Sequence, residues 1–337
     1  MVRPVSEQVV VVAGASTGIG RATALAFAEQ GTRVVCAARG AQALKSLVRE
    51  IEGAGGQAIA VPTDVADPAA VQALADAAEE RFGRIDTWVN VAAIAVFGRV
   101  EDITSEEYDR VMRVNFLGQV HGVQAALPAL RRAGGGSIIG IASVEGVRSL
   151  PLHAPYTASK FALRGFYDCV RMELAQQGEP IAVTTILPAS MDTPFFEHSR
   201  SKFGALPKPP APVYAPELVA DSIVFAASHP RREIPVGGSA VAFYLGQRLS
   251  PAVTDALLSL RRLGVNSLRN DRPDNGVDNF DAPLDEPGRV HGSHPGRVLH
   301  RSAFTSVARG LPRPGEVLTA VVSRLHRRTA KRGHTDR

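Results

Sequence analysis

The stretch VVVVAGASTGIGRATALAF, residues 9–27, restricts the possible folds of this chain more than any other. Four valines in succession predict a strand buried on both faces, as in a parallel sheet. The Ala- and Leu-rich run after Gly20 predicts a helix, and Gly14, Gly18 and Gly20 fill the turn between them as G-x-x-x-G-x-G. Glycines in such a turn permit a tight reversal, close approach of backbone to a pyrophosphate and close packing of helix on strand. The helix that follows presents unpaired N–H groups and the positive end of its dipole to phosphate. A glycine cluster alone is a weak signal; a strand before it and a helix after it supply the required context.

The same alternation continues to about residue 245. Strands are expected at Gln8–Ala13, Arg33–Ala38, Gln57–Pro62, Ile85–Asn90, Ser137–Ala142, Ile181–Leu187 and, on a weaker pattern, Glu233–Val236. Helices are expected near 18–30, 40–53, 67–82, 104–132, 156–177 and 215–228. Asp67-Pro68 is a cap followed by Pro at the first helical position, and Thr104 with Glu107 forms a capping box. Strands alternating with helices imply an α/β fold, a doubly wound parallel sheet of Rossmann type with helices on both faces. Its ligand crevice lies at the carboxyl ends of the strands.

Charge divides the chain. Residues 251–337 carry 15 Lys/Arg against 9 Asp/Glu, whereas the first 250 carry 23 against 24. The body therefore lacks a basic face for nucleic acid, and the net charge of +5 belongs to the tail. Residues 1–250 are expected to form a dinucleotide-binding domain, and 251–337 a basic extension. PAVTDALLSLRRLG suits one further amphipathic helix; residues 265–314 lack periodicity and are expected to be irregular or partly disordered. Near the end, Leu318, Val321, Val322 and Leu325 share one helical face, with Arg and Lys clustered behind them. Such a helix suits either peripheral contact with an anionic membrane or docking on the domain or a partner subunit. Two distant cysteines, Cys36 and Cys169, fit free thiols in a reducing, cytoplasmic setting, and no Cys/His spacing suggests a metal site.

Tyr156 and Lys160, in PYTASKF, lie one helical turn apart. Taken with the glycine spacing, they give the chain a specific resemblance to the short-chain dehydrogenase/reductase family over roughly residues 5–245. Asp64-Val65 after the third strand, Asn115 in RVNFLG, and Ser143 thirteen residues before Tyr156 extend the match. The resemblance implies a catalytic set of Asn115, Ser143, Tyr156 and Lys160. Tyr156 would be the acid/base, Ser143 would hold the substrate oxygen, and Asn115 would hold a water linking Lys160 to solvent. Lys160 would also bind the nicotinamide ribose. A phenol titrates near ~10, and a cation about 4 Å away at an effective dielectric near 20 favours the phenolate by roughly 4 kcal/mol. On that reasoning the Tyr156 phenol is expected near neutrality.

The resemblance also implies cofactor contacts at Gly14, Ser16, Thr17, Gly18, Ile19, Gly20, Asp64, Val65, Asn90, Ala92, Pro188, Met191 and Thr193. The family's Asn-Asn-Ala-Gly reads Asn90-Val91-Ala92-Ala93 here, and its Pro-Gly reads Pro188-Ala189. Where NAD-selective relatives place an Asp at the end of the second strand, this chain has Ala38 followed by Arg39. A guanidinium can pair with a 2′-phosphate, so NADP(H) is preferred over NAD(H). The expected reaction interconverts a small-molecule carbonyl and an alcohol. A 3-oxoacyl-thioester reductase and a non-catalytic NADP(H)-sensing scaffold are the alternatives. Residues 193–214 read as a lid, whose Phe195, Phe196 and Phe203 either line an apolar pocket or pack on the body. Arg200, Lys202 and Lys208 leave room for an acidic ligand group or form a solvated surface. Relatives commonly form homodimers or homotetramers through the helices near 104–132 and 156–177.

Overall fold

The computed structural model describes residues 3–260 and 264–310. The terminal amphipathic stretch expected around Leu318–Leu325 lies outside these residues. Seven parallel strands make the central sheet: β1 (Val9–Ala13), β2 (Arg33–Ala38), β3 (Gln57–Pro62), β4 (Thr87–Asn90), β5 (Gly136–Ile141), β6 (Ile181–Pro188) and β7 (Glu233–Val236). Their order is β3-β2-β1-β4-β5-β6-β7, so the winding reverses between β1 and β4. A crevice opens at such a reversal, outside the strands' carboxyl ends.

Alternation along β1 shows how the two layers form. Val9, Val11 and Ala13 pack into the core shared with α3 (Pro68–Phe82), α5 (Gly118–Arg132) and α6 (Ala154–Gln176). Val10 and Val12 pack against α1 (Gly18–Glu29), α2 (Ala41–Gly53) and α7 (Glu217–Ser228). Both expected caps are present: the Asp67 side chain accepts from Ala69 N–H, and Thr104 and Glu107 cap each other reciprocally. The helix expected at 104–132 is α4 (Ser105–Met112) running into α5 through a π-helical turn at Arg113–Leu117. Such turns gather at functional sites, and this one contains Asn115.

Beyond β7 come α8 (Ser239–Leu249) and α9 (Pro251–Ser259), the second where the sequence suggests an amphipathic helix. Residues 264–310 then run back over the body with little regular structure. Arg269–Pro273 pairs antiparallel with Ala205–Pro207, Val298–Leu299 pairs with Val213–Tyr214, and the helix Ala303–Gly310 packs against β7 and α7. Among the described residues no helix is long and apolar enough to cross a membrane.

Asn90, at the end of β4, is a buried tie between layers. Its Oδ1 accepts from Trp88 Nε1 at 2.9 Å, and its Nδ2 donates to the Tyr167 hydroxyl at 3.2 Å and the Gln119 carbonyl at 3.4 Å. Removing the amide leaves a buried indole N–H unpaired, which costs roughly 1–3 kcal/mol. Asn90→Ala is expected to lower the unfolding free energy by about 2 kcal/mol in urea at unchanged m-value. A wild-type midpoint would show the tie to be dispensable.

Candidate active site

The glycine turn is shaped by contact. Gly14 has φ +108°, and a Cβ on it would lie 2.4 Å from the Ala92 amide nitrogen. A Cβ on Gly20 would lie 1.9 Å from the Gly14 carbonyl oxygen, so α1 can meet the end of β1 only with glycine at both places. The Ile19 and Gly20 N–H groups at the start of α1 find no acceptor among the described residues. A cavity of about 790 Å³ passes this turn and continues to Ser143, Tyr156 and Lys160. Its size and free amides fit a dinucleotide with its phosphates at the helix N-terminus.

Three elements deliver the reactive groups. Ser143 follows β5; its Oγ accepts from the Glu145 N–H at 3.1 Å, and the residue lies close enough to Tyr156 to favour the ionised phenol. Tyr156 and Lys160 lie in the first two turns of α6, whose start is set by Pro155. Lys160 is 1% exposed; its Nζ donates to the Ile141 carbonyl at 2.9 Å and lies 5.2 Å from the Tyr156 ring centre. Asn115 stands behind them. Its Oδ1 accepts from Ile94 N–H, and its Nδ2 donates to the Ile94 carbonyl and to Ser159 Oγ.

A family model described as short chain dehydrogenase matches residues 8–203. The chain belongs to the short-chain dehydrogenase family. The uncharacterized oxidoreductase YxnA of Bacillus subtilis is 38% identical over 315 residues, 91% of this chain and 86% of that protein. Dehydrogenase/reductase SDR family member 7B of Bos taurus is 32% identical over 269 residues, 76% of this chain and 82% of that protein. A short-chain dehydrogenase/reductase from Burkholderia phymatum, solved with NAD, superposes with a TM-score of 0.67 at 27% identity, covering 75% of this chain and 96% of that one. An alcohol dehydrogenase from Thermococcus sibiricus, solved with 5-hydroxy-NADP, gives 0.60 at 26% identity over 68% of this chain and 95% of that one. This short-chain dehydrogenase is accordingly an oxidoreductase, and nicotinamide dinucleotides are the family's cofactors.

Of the expected catalytic and cofactor-binding residues, all but two line the cavity: Gly14, Ser16, Thr17, Gly18, Ile19, Gly20, Arg39, Asp64, Val65, Ala92, Ser143, Tyr156, Lys160, Pro188, Met191 and Thr193. Asn90 and Asn115 do not; each is turned into the packing beneath. Burial works against the ionised form of Asp64, but the Ala66 amide and Arg110 outweigh it and hold the carboxyl below its usual range. Arg39 is held by the tail. Its Nη1 donates to the carbonyls of Phe280 and Asp281 at 3.4 and 3.1 Å, and its Nη2 to that of Asn279. In the lid, Phe195 and Phe196 line the cavity while Phe203 packs edge-on against Phe97. Arg200 and Lys202 pair with acidic groups of the chain itself: Arg200 with Asp278, Asp281 and Glu107, Lys202 with Glu107.

Two residues at the reactive end were not singled out in the sequence. His153, 1% exposed, stacks between Phe97 at 4.0 Å and Tyr156 at 4.3 Å. Its Nδ1 meets the Glu145 carboxylate at 3.0 Å, and that carboxylate also accepts from Thr157 Oγ1. The group locks the phenol ring in place. It also changes the electrostatics expected from the Tyr–Lys pair alone. Burial, reinforced by the Glu145 carboxylate, pushes the Tyr156 phenol up despite the opposing effect of Ser143. Burial brings the Lys160 ammonium down to about 7 although Glu145 opposes this. The expectation of a phenol near neutrality gives way because loss of water, reinforced by the Glu145 carboxylate, disfavours the phenolate.

The Lys160 shift has a definite sign in stability. Its unfolded pKa lies near ~10.4, so below about 7 both states are protonated and the cost of burying the ammonium is fully present. Between these values the unfolded chain binds more protons and stability rises with pH. Lys160→Met removes this term. Its Tm, taken relative to wild type, is expected to fall by about 5 °C between pH 6 and pH 9. A pH-independent difference would mean that the amine is not depressed.

Proposed function

We propose that the chain is an NADPH-dependent reductase of lipophilic ketones or aldehydes, working through Tyr156. The observation that carries this reading is the convergence of Ser143, Tyr156 and Lys160 on the cavity that also passes the glycine turn. The glycine turn and Arg39 would hold the phosphates, and Lys160 and Thr193 would hold the nicotinamide end. When bound, the reduced cofactor supplies a hydride to the carbonyl carbon. The chain's own groups handle the oxygen. Ser143 Oγ donates to it and stabilises the charge that develops there. Tyr156, kept protonated by its surroundings, then delivers its proton to an alkoxide that is far more basic. A high phenol pKa suits this direction. Proton replacement runs to Lys160, whose value near 7 allows it to exchange at neutral pH.

Substrate class follows from the cavity wall near Tyr156. Leu150, Phe195, Phe196, Phe243, Leu257 and Leu258 give an apolar surface, which selects apolar substituents on the carbonyl. The two lid cations with carboxylate partners, Arg200 and Lys202, are unavailable to an acidic ligand. Leu117, Phe161 and Met172, exposed on or beside α5 and α6, suit a homodimer or homotetramer through those helices.

NADPH is favoured over NADH by the state of Arg39. Its guanidinium is fixed against three neutral carbonyls, with no carboxylate in ion-pair range among the described residues. Burial accordingly lowers its proton affinity despite the field of Asp64. Its remaining Nε–H and Nη2–H suit a bidentate anion such as a 2′-phosphate. Arg39→Ala is expected to reduce kcat/KM for NADPH about 10- to 100-fold while changing that for NADH little. A wild-type preference for NADH would refute the assignment. Tyr156→Phe is expected to abolish NADPH consumption across a panel of apolar ketones and aldehydes while leaving NADPH affinity within about twofold. Turnover at the wild-type rate in that variant would remove Tyr156 from the mechanism.

A further inference from the structure

Residues 279–293 cross the mouth of the cavity and are fastened on three sides. On the β2 side, the carbonyls of Asn279, Phe280 and Asp281 take the Arg39 guanidinium. There the Phe280 ring is buried, with the Arg200 guanidinium 4.3 Å over it. At the glycine turn, the Gly18 N–H donates to the Arg289 carbonyl at 2.9 Å. On the lid side, the Arg289 guanidinium and the Ser293 N–H both bind the Glu197 carboxylate, at 2.8 and 2.5 Å. Glu286 meets His198 at 3.1 Å. Between these fastenings, Asn279, Pro283, Leu284 and Glu286 face the cavity as part of its wall.

From this we infer that residues 279–293 form a strap that roofs the dinucleotide site, so that cofactor enters and leaves only when the strap lifts. The inference rests on the reading of this cavity as the dinucleotide site. It adds to that reading a set of cofactor-enclosing residues drawn from outside the sheet domain. The strap touches Arg39, the glycine turn and the lid at once, so it bridges the walls between which a dinucleotide would lie. Phe280 is buried in the core shared with α3, α5 and α6 and anchors one end of the strap; the other holding contacts are polar and partly exposed, and each contributes little net free energy. Lifting the stretch beyond Phe280 leaves the sheet and its two cores intact. Gly288 is the point of closest approach: a Cβ there would lie 1.9 Å from the Ser16 carbonyl oxygen and 3.0 Å from Arg21 Nη1. Any side chain at 288 must hold the strap off the turn.

The test is release of NADPH, followed by its fluorescence in stopped flow, from the full chain and from Gly288→Val. The variant is expected to release NADPH at least tenfold faster, and an unchanged rate overturns the strap. Arg289→Ala, which cuts the link to Glu197, should change the rate in the same direction. Independently, NADPH should slow hydrogen exchange of residues 279–293 in the wild-type chain severalfold; absence of protection there overturns the inference even should Gly288→Val fail to fold. If the wild-type chain binds neither NADPH nor NADH, the dinucleotide reading falls and the strap falls with it. Binding with unaltered release and exchange removes the strap alone.

Discussion

The contact between Gly20 and the Gly14 carbonyl is the constraint from which the rest of the site follows. With a side chain at either place, α1 would be pushed away from the end of β1. Its first N–H groups would then no longer face the crevice between β1 and β4. That crevice exists because the winding reverses between those strands. The same reversal sets β5 on the far side of β4, so Ser143 emerges beside the crevice rather than at a remote edge. The helix that follows, α6, starts at Pro155 and needs only its first two turns to bring Tyr156 and Lys160 to Ser143. On the proposed function, phosphate anchoring and proton transfer would share one wall because a helix and a strand touch without side chains between them.

Within that wall, loss of water decides the protonation states. Lys160 and Tyr156 are each displaced toward their neutral forms, the reverse of what their mutual attraction would produce. Glu145 explains part of this, since its carboxylate opposes the phenolate while favouring the ammonium. Arg39, at the other end of the cavity, shows the same economy: a half-buried cation satisfied by carbonyl dipoles rather than by a carboxylate. Groups left with incomplete counter-charge are a stability cost commonly found at functional sites. Here they sit at both ends of one cavity, where a ligand carrying charge could complete them.

Much of this was legible in the sequence because it depends on short-range signals. β2, β3 and β7 begin and end where the alternation of β-branched residues says they do. β4 starts two residues later than its hydrophobicity suggests; just before it, the Asp86 side chain takes the Val9 N–H. The π-helical turn at Asn115 was hidden. It is accompanied by bonds from the Asn115 side chain to Ile94, twenty-one residues away, and no local pattern encodes that partner. Glu145 and His153 were hidden for a similar reason. A loop rather than one helix or strand separates them, and Leu152, held at φ +64°, turns the chain just before His153. The phenol's proton affinity depends on how dry the cavity is, which is a property of the whole wall.

The tail shows the limit of composition as a guide. Residues 265–310 are rich in Asp, Asn, Pro and Gly; they are irregular between Pro273 and Val298, with short helices and strands at either end. They are nevertheless fixed to the body, and the means is backbone. Four carbonyls, those of Asn279, Phe280, Asp281 and Arg289, bind Arg39 and Gly18, and a carbonyl leaves no trace in residue identity. Side chains add further points, among them the buried Phe280, the acids that meet Arg200, Arg289 on Glu197, Glu286 on His198, and Arg309 on Ser222. Apart from Phe280, which anchors it in the core beneath, a segment attached in this way contributes little to the cores that hold the sheet together. It can therefore move over the crevice without unfolding the domain, which a helix packed into either core could not do.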